Sequence, residues 1–150
     1  MNNDLRSIYI LFSEAMWEIN AYVAKRMEEE ELAHFSKEQM ETLRIIRKHP
    51  NISQGEIAKN QGVFKTAISN RIKKLEQSQL ITIAADKDNR KRTVNLTKKG
   101  EALSLKAEDA VFGSLHQLFD EQFTEEEIKF FTAKLNKTVN ILKEGKNERT

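Results

Sequence analysis

The sequence contains no cysteine and few residues that interrupt helices, with one Pro and five Gly in 150 residues. The absence of Cys excludes disulfides, zinc–thiolate sites and thiol-based redox switches. The scarcity of Pro and Gly favours a mostly helical chain with few long loops. No run of about 18 apolar residues occurs, so no transmembrane helix is predicted, and the first residues lack the basic and apolar stretches of a signal peptide. A soluble, cytoplasmic protein without a membrane partner is therefore expected.

Positive charge is concentrated in one third of the chain. Residues 53–100 contain 11 Lys and Arg against 4 Asp and Glu, a net charge of +7, whereas the whole chain carries +2 and the remainder therefore −5. Such a concentration is typical of a surface that neutralises DNA phosphates. An isolated charge run is usually only a solvated face, but this run coincides with a structural motif. With 32% charged and 39% hydrophobic residues, the chain is also polar for its length, which favours completing its burial by oligomerisation.

Both ends of the chain have apolar residues at the spacing of long amphipathic helices. The first stripe runs from Leu5 to Val23, and Trp17 and Tyr22 lie off it, which leaves a second apolar face for a partner helix. Two more helices are predicted near the C-terminus, one after Thr97 and one after a capping box at Thr124. Their apolar positions are Leu103, Ala107, Ala110, Val111, Leu115, Leu118, Ile128, Phe131, Leu135, Val139 and Leu142.

The centre of the chain has the element order of a winged helix-turn-helix. Capping boxes at Ser36 and Ser53 begin two helices, and Gly62 supplies the left-handed turn before a third. The inward face of that third helix carries Ile68, Ile72 and Leu75. Residues 80–84 and 93–96 have the pattern of strands on either side of a basic turn. The predicted fold is therefore mainly α with a small β-hairpin wing.

The central residues resemble the MarR family of bacterial transcriptional regulators. The similarity is carried by the helix 67–76, by Asp88-Asn89-Arg90 in the wing and by the exit Leu96-Thr97-Lys98-Lys99-Gly100. A D-x-R and L-T-x-x-G pair about eight residues apart, after a helix-turn-helix, is fairly specific, and the order of helices is similar over roughly residues 5–143. Three features depart from the family pattern. They are Phe64 in place of a capping Ser or Asp, Asn70 in place of a common Arg, and Ser78-Gln79-Leu80 in place of Lys-Gly-Leu.

The resemblance implies a single MarR-type domain, residues 1–150, that dimerises. Its winged helix-turn-helix DNA-binding lobe would span 36–100, and its helical dimerisation lobe would comprise 5–31 and 101–144. The implied dimer-interface residues are Leu5, Ile8, Phe12, Leu115, Phe131, Leu135, Val139 and Leu142. The resemblance also implies binding to a pseudo-palindromic operator in double-stranded DNA, most often as a repressor. In many members a small-molecule effector binds between the lobes and releases the DNA.

The helix after Gly62 is expected to lie in the major groove with its amino-terminal half nearest the bases. The side chains predicted to contact DNA there are Lys65, Thr66, Ser69, Asn70, Lys73 and Lys74. Asn70 is suited to an adenine edge and Lys65 to a guanine edge. The two hydroxyl side chains contact either bases or only phosphate and water, and the two later lysines meet the backbone. Arg71 is directed either to a phosphate or to a carboxylate of the protein itself.

Two further regions are predicted to contact DNA. Ser53 and Gln54 begin a helix whose free backbone amides favour a bound phosphate, a role compatible with capping. In the wing, Arg90 is predicted to enter a narrow minor groove, oriented by Asp88 through a charge-assisted hydrogen bond. Additional phosphate contacts are expected from Lys87 and Lys91. The alternative for the wing residues is a solvated hairpin tip.

Other classes of function have less support in the sequence. No nucleophile–base pair, phosphate loop or metal-ligand spacing is present, so no enzyme, catalytic residue, metal or cofactor is predicted. His34, His49 and His116 are far apart in sequence, and Glu28–Glu31 is better explained as a solvated helix end than as a cation site. The alternative to a sequence-specific dimeric regulator is an effector-free module of the same fold that binds DNA without sequence preference or binds a protein.

Overall fold

The computed structural model of the chain describes residues 3–85 and 91–147. It confirms a mainly helical fold with a small sheet. Within the described residues, no helix is long and apolar enough to cross a membrane. The elements in chain order are α1 (Asn3–Glu29), α2 (Lys37–Lys48), β1 (Ile52–Ser53), α3 (Gln54–Gln61), α4 (Lys65–Gln77), β2 (Ile81–Ala85), β3 (Arg92–Leu96), α5 (Lys98–Glu108), a π-helical turn (Asp109–Gly113), α6 (Ser114–Phe119) and α7 (Glu125–Asn147).

The strands form one antiparallel sheet in the order β1-β3-β2. β2 and β3 make the predicted hairpin, with Ile83 opposite Val94. β1 was not predicted, and its two residues pair with Thr93 and Val94 on the other edge of β3. A reciprocal amide contact extends this pairing, because Asn51 N donates to Asn95 Oδ1 at 2.8 Å and Asn95 Nδ2 donates to Asn51 Oδ1 at 2.9 Å. The stem of the wing is therefore held on both sides of β3.

The core beneath α4 is built from apolar side chains of α2, α3, α4 and the sheet. As predicted, Ile68, Ile72 and Leu75 face inward and are at most 1% exposed. They belong to a cluster with Leu43, Ile45, Ile46, Ile52, Ile57, Ala58, Leu80, Ile81 and Val94. Each large aliphatic side chain buried in this way stabilises the fold by about 1.5–3 kcal/mol relative to an exposed one. This burial fixes which face of α4 remains in solvent.

A second, smaller apolar cluster joins the end of α1 to α5. Its buried residues are Met27, Leu32 and Ala107, flanked by Val23, Met40, Leu103 and Val111. Arg47 on α2 also forms an ion pair with Glu108 at the end of α5. α5 is thus fixed against both preceding long helices.

Three helices end in the same backbone motif, in which a residue of left-handed conformation follows the last turn. Glu31, Gly62 and Gln79 have φ values of 59°, 65° and 59°. In each case the next backbone N–H donates to a carbonyl five residues back, at 2.7 Å, 3.1 Å and 3.0 Å, which satisfies a helix-end acceptor. Gly62 adopts this conformation without steric penalty, as predicted, whereas Glu31 and Gln79 do so with a Cβ.

The start of α5 is anchored to the turn that follows α4. Thr97 caps α5 as predicted, because its hydroxyl accepts from Gly100 N at 3.0 Å. The same residue donates its backbone N–H to Leu80 O at 3.0 Å and its hydroxyl to Gln79 O at 2.7 Å. A Cβ added to Gly100 would lie 1.9 Å from Leu80 O, so only glycine permits this close approach. The L-T-x-x-G sequence is therefore a structural junction.

The helix predicted after Thr97 differs from a continuous α-helix. α5 and α6 are separated by the π-helical turn Asp109–Gly113, which has longer-range hydrogen bonds than an α-helix. The apolar pattern does not reveal this turn, because it interrupts the spacing for only five residues. The chain divides into two compact units between Gly113 and Ser114, where the π-helical turn ends.

Candidate nucleic-acid interface

α4 has one face in the core and one face in solvent. The side chains predicted to contact DNA on this helix are all exposed: Lys65, Thr66, Ser69, Asn70, Lys73 and Lys74. The first turn of α4 contains no acidic residue, so no carboxylate there would repel phosphate. This arrangement is suited to a major groove, because the exposed end offers hydrogen-bonding side chains beside cations.

Arg71 is held by a polar network inside the helix-turn-helix. Its guanidinium donates to Gln61 Oε1 and to Thr42 Oγ1, so the acceptors are an amide and a hydroxyl. The Thr42 hydroxyl also lies 2.8 Å from Glu38 O and 3.1 Å from Gln61 Oε1, and Thr42 is 0% exposed. The network joins α2, α3 and α4. Arg71 is therefore engaged by an amide and a hydroxyl of the protein itself, and not by the phosphate or the carboxylate considered from the sequence.

Sequence reasoning missed Thr42 and Gln61 as positioning residues. Thr42 lies on α2 beside the buried apolar residues of that helix, and Gln61 is the last residue of α3. Neither has a local signal of a long-range partner, because the contacts span 10 to 29 positions in sequence. Only the folded packing of three helices brings these side chains together.

The amino terminus of α3 is ordered by the predicted capping box. Ser53 Oγ accepts from Glu56 N at 3.2 Å, and Glu56 Oε2 accepts from Ser53 N at 2.8 Å. The Ser53 hydroxyl also donates to Glu56 Oε2 at 2.8 Å. The hydrogen bonds donated to this carboxylate by the backbone and hydroxyl of Ser53 lower the pKa of Glu56, and the charges of Lys91 and His49 lower it further. Gln54, the first residue of α3, is half-buried. The carboxylate of Glu56 is therefore engaged in the cap.

Lys65 lies close to the first turn of α3. A Cβ built on Gly55 would be 3.6 Å from Lys65 Cε and 3.9 Å from its Nζ. The ammonium of α4 and the amino-terminal end of α3 therefore converge. A cation next to a helix amino terminus is an arrangement suited to a phosphate.

Only part of the predicted wing contact can be located. Lys87, Asp88 and Arg90 lie outside the described residues. Lys91 is exposed immediately before β3, and Arg92, the first residue of that strand, is exposed as well. Arg92 is a cation that the sequence-based set of contacts omitted. Its place at the stem of the wing adds positive charge where the strand leaves the basic turn.

Phe64 occupies the capping position of α4 and is 85% exposed. It has extended backbone angles, φ −71° and ψ 148°, and provides no side-chain hydrogen bond to the first turn. The sequence pattern identified this residue as a departure from a capping Ser or Asp. The structure shows that the aromatic ring is not withdrawn into the core.

The predicted dimer residues are mostly exposed in the single chain. Those in solvent are Leu5, Ile8 and Phe12 on α1 and Phe131, Val139 and Leu142 on α7. Leu115 on α6 and Leu135 on α7 are half-buried. α1 also exposes Tyr9 and Trp17, with 74% and 76% of their surfaces in solvent. Clustered exposed apolar side chains are typical of surfaces that bind another molecule.

Two helices are joined by a tight turn, and the second has one buried and one exposed face. Together with the three-stranded sheet and the basic stem of the wing, these helices define a winged helix-turn-helix protein. The model of the MarR family matches residues 35–93. The HTH-type transcriptional regulator YdgG of Bacillus subtilis, described as uncharacterized, is 32% identical over 114 residues, covering 74% of this chain and 75% of that protein. TcaR of Staphylococcus aureus strain Newman is 32% identical over 115 residues, with the same coverage. The chain therefore belongs to the MarR family.

Solved structures agree with this assignment. The S. aureus MepR–DNA complex superposes with a TM-score of 0.74 at 25% identity, covering 94% of this chain and 99% of that chain. A MarR family protein from Bacillus stearothermophilus superposes with a TM-score of 0.79 at 15% identity, covering 95% and 99%. The second likeness concerns the fold alone.

Proposed function

We propose that this protein is a dimeric, sequence-specific DNA-binding regulator that represses transcription from a pseudo-palindromic operator in the cytoplasm. The observation that carries the proposal is the division of α4 into a buried apolar face and an exposed face of hydrogen-bonding and cationic side chains. Family membership supports it, because the curated relatives are HTH-type transcriptional regulators and MepR has been solved with DNA.

Sequence preference would come from the amino-terminal half of α4. Asn70 can bond an adenine through N6 and N7, and Lys65 can bond a guanine through O6 and N7, each worth about 1–3 kcal/mol of discrimination. Thr66 and Ser69 are exposed on the same helix and contact either bases or phosphate. The Arg71 network supports this readout, because a helix of fixed tilt presents the same side chains at every encounter.

Affinity would come from cations and amides around α4. Lys73 and Lys74 are exposed farther along the helix and would meet phosphates. The start of α3, with Ser53, Gln54 and the adjacent Lys65, offers a second phosphate position. In the wing, Lys87 and Lys91 would contact phosphates, and Arg90, oriented by Asp88, would enter the minor groove. Each phosphate neutralised releases counterions and steepens the dependence of affinity on salt.

Dimerisation would place two copies of α4 on two half-sites. The exposed apolar side chains of α1 and α7 support this, because a second copy of the chain offers a matching apolar surface. The division into a dimerisation lobe and a DNA-binding lobe is part of the same proposal. Release of DNA by a small-molecule effector is included on the strength of the family resemblance alone.

The test is selection of genomic fragments by the purified protein at physiological salt, followed by sequencing. The expected result is an inverted repeat with half-sites about 10 bp apart, one helical turn, upstream of genes whose transcription rises when the protein is deleted. Binding without any motif, lost on adding salt, would contradict the proposal and favour a non-specific DNA-binding module. Binding of a protein with no DNA selected would contradict it as well.

Matched variants separate the two kinds of contact. Asn70→Ala is expected to relax sequence preference at one base pair of each half-site. Lys74→Ala removes one phosphate contact per protomer, so it should weaken all sequences equally and reduce the salt slope of the dimer by about 2. Lys137→Ala makes the same charge change on α7, where the side chain is also exposed, and should leave both quantities unchanged. Equal effects of all three changes would refute the assignment of α4.

A further inference from the structure

The amino terminus of α4 differs from those of the other capped helices in the described residues. α2, α3, α5 and α7 each begin with a hydroxyl that accepts a backbone N–H of the first turn at 3.0–3.2 Å. The capping residues are Ser36, Ser53, Thr97 and Thr124. α4 begins with Phe64, which makes no such bond. Among these five described helices, only α4, which carries the candidate DNA contacts, begins without a hydroxyl cap.

Phenylalanine at this position opposes stability in two ways. The first-turn N–H groups lose a side-chain acceptor, which Ser, Thr or Asp would supply. The ring also remains 85% exposed, so it gains little from burial in return. A residue that breaks a local rule without a compensating structural gain is expected at a functional position.

The position of Phe64 indicates which partner its ring meets. It directly precedes Lys65 and Thr66, at the end of α4 that lies nearest the bases in the proposed complex. In the major groove the apolar group on a base edge is the 5-methyl group of thymine, and an aromatic side chain is suited to contact it. Such a contact would bury the ring only when DNA is bound.

We propose that Phe64 is a specificity-determining residue that contacts the 5-methyl group of a thymine in each half-site. This inference rests on the proposed function, because it requires α4 to enter the major groove. It adds apolar readout to the polar readout by Asn70 and Lys65, and it assigns a role to a side chain that the fold does not use.

The test replaces each thymine of the selected operator by deoxyuridine, one half-site position at a time, which removes only the methyl group. For the wild-type protein, affinity is expected to fall about fourfold at one thymine, the effect of one buried methyl group, and about 15-fold when both symmetric half-sites are changed. Phe64→Ser should bind the thymine and deoxyuridine operators equally. Phe64→Leu, which keeps an apolar side chain, should retain part of the discrimination.

Thermal unfolding of the same variants distinguishes a role in DNA recognition from a structural role. The first predicts a higher unfolding midpoint for Phe64→Ser, and the second predicts a lower one. Phe64→Ser installs a hydroxyl cap and removes an exposed ring, so its unfolding midpoint should rise while thymine discrimination is lost. A lower midpoint together with weak binding to every sequence would show that the ring supports the fold, and would overturn the inference.

The remaining outcomes are equally decisive. Equal deoxyuridine sensitivity in wild type and Phe64→Ser would assign the methyl contact to another residue, and insensitivity at every thymine would exclude methyl readout. Both results would overturn the inference and leave the proposed function intact. The operator selection is carried out before any base is replaced. If the wild-type protein selects no operator, the proposed function is overturned together with the inference.

Discussion

Gly100→Ala tests whether the junction between α4 and α5 is as tight as the structure indicates. The added Cβ would lie 1.9 Å from Leu80 O, whereas ordinary contacts begin at 3.4 Å, so the start of α5 must retreat by about 1.5 Å. That movement breaks the Thr97 hydrogen bonds to Leu80 O and Gln79 O, now 3.0 Å and 2.7 Å long. Position 100 requires glycine because a Cβ would overlap with Leu80 O, and its location in a helix alone does not reveal this.

The expected loss follows from these contacts. Two lost hydrogen bonds lower the free energy of unfolding by about 2 kcal/mol, and overpacking lowers it by about 1–3 kcal/mol. The higher helix propensity of Ala restores about 1 kcal/mol. The net loss of about 2–4 kcal/mol should lower the urea midpoint by roughly 1–2 M. Circular dichroism measures this midpoint, and all variants are compared at one protomer concentration because the stability of a dimer depends on concentration.

Gly145→Ala is the matched control. Gly145 is on α7, and no described residue comes within 4 Å of a Cβ built there, so this variant should be as stable as wild type or slightly more stable. If Gly100→Ala unfolds at the same urea concentration as wild type, the junction is not close-packed and the reasoning is wrong. Equal destabilisation by both changes would show a general effect of replacing helical glycine.

Four further substitutions test three other features. Gln79→Gly should raise the free energy of unfolding by about 1 kcal/mol by removing a Cβ from a left-handed position, and Gly62→Ala should lower it by a similar amount; urea unfolding measures both. Arg71→Met leaves the amide of Gln61 without its guanidinium donor and should lower stability by about 1–3 kcal/mol, with weaker operator binding but an unchanged salt slope. Because folding lowers the pKa of Glu56, its carboxylate stabilises the fold above the ordinary pKa of a glutamate, and this contribution disappears as the pH falls through the lowered value. Glu56→Gln should therefore flatten the acid side of the curve of thermal midpoint against pH.

Features with a local cause could be predicted from the sequence. The capping boxes at Ser36 and Ser53 depend on residues three positions apart, and the structure confirms both. Gly62 adopts the predicted left-handed conformation because a sharp turn between helices requires it. The buried and exposed faces of α4 follow from the period of 3.6 residues. These signals were enough to define the winged helix-turn-helix and the exposed part of the candidate interface.

Features that depend on distant residues could not be predicted. β1 has two residues and exists only because β3 provides partners about 40 positions later. The acceptors of Arg71 come from two other helices, and no periodicity connects them. Gln79 has a left-handed conformation without being a glycine, and its carbonyl accepts from the hydroxyl of Thr97, 18 positions later. In each case the cause is packing between elements.

The central position of β3 has a consequence for how the protein would measure its operator. β1 directly precedes α3 and pairs with β3 at Val94 and Thr93, so the stem of the wing and the amino terminus of α3 belong to one rigid piece. Two DNA contacts carried by this piece would lie a constant interval apart along the duplex. An operator would then have to present its two contact points at that interval, in addition to having the preferred bases.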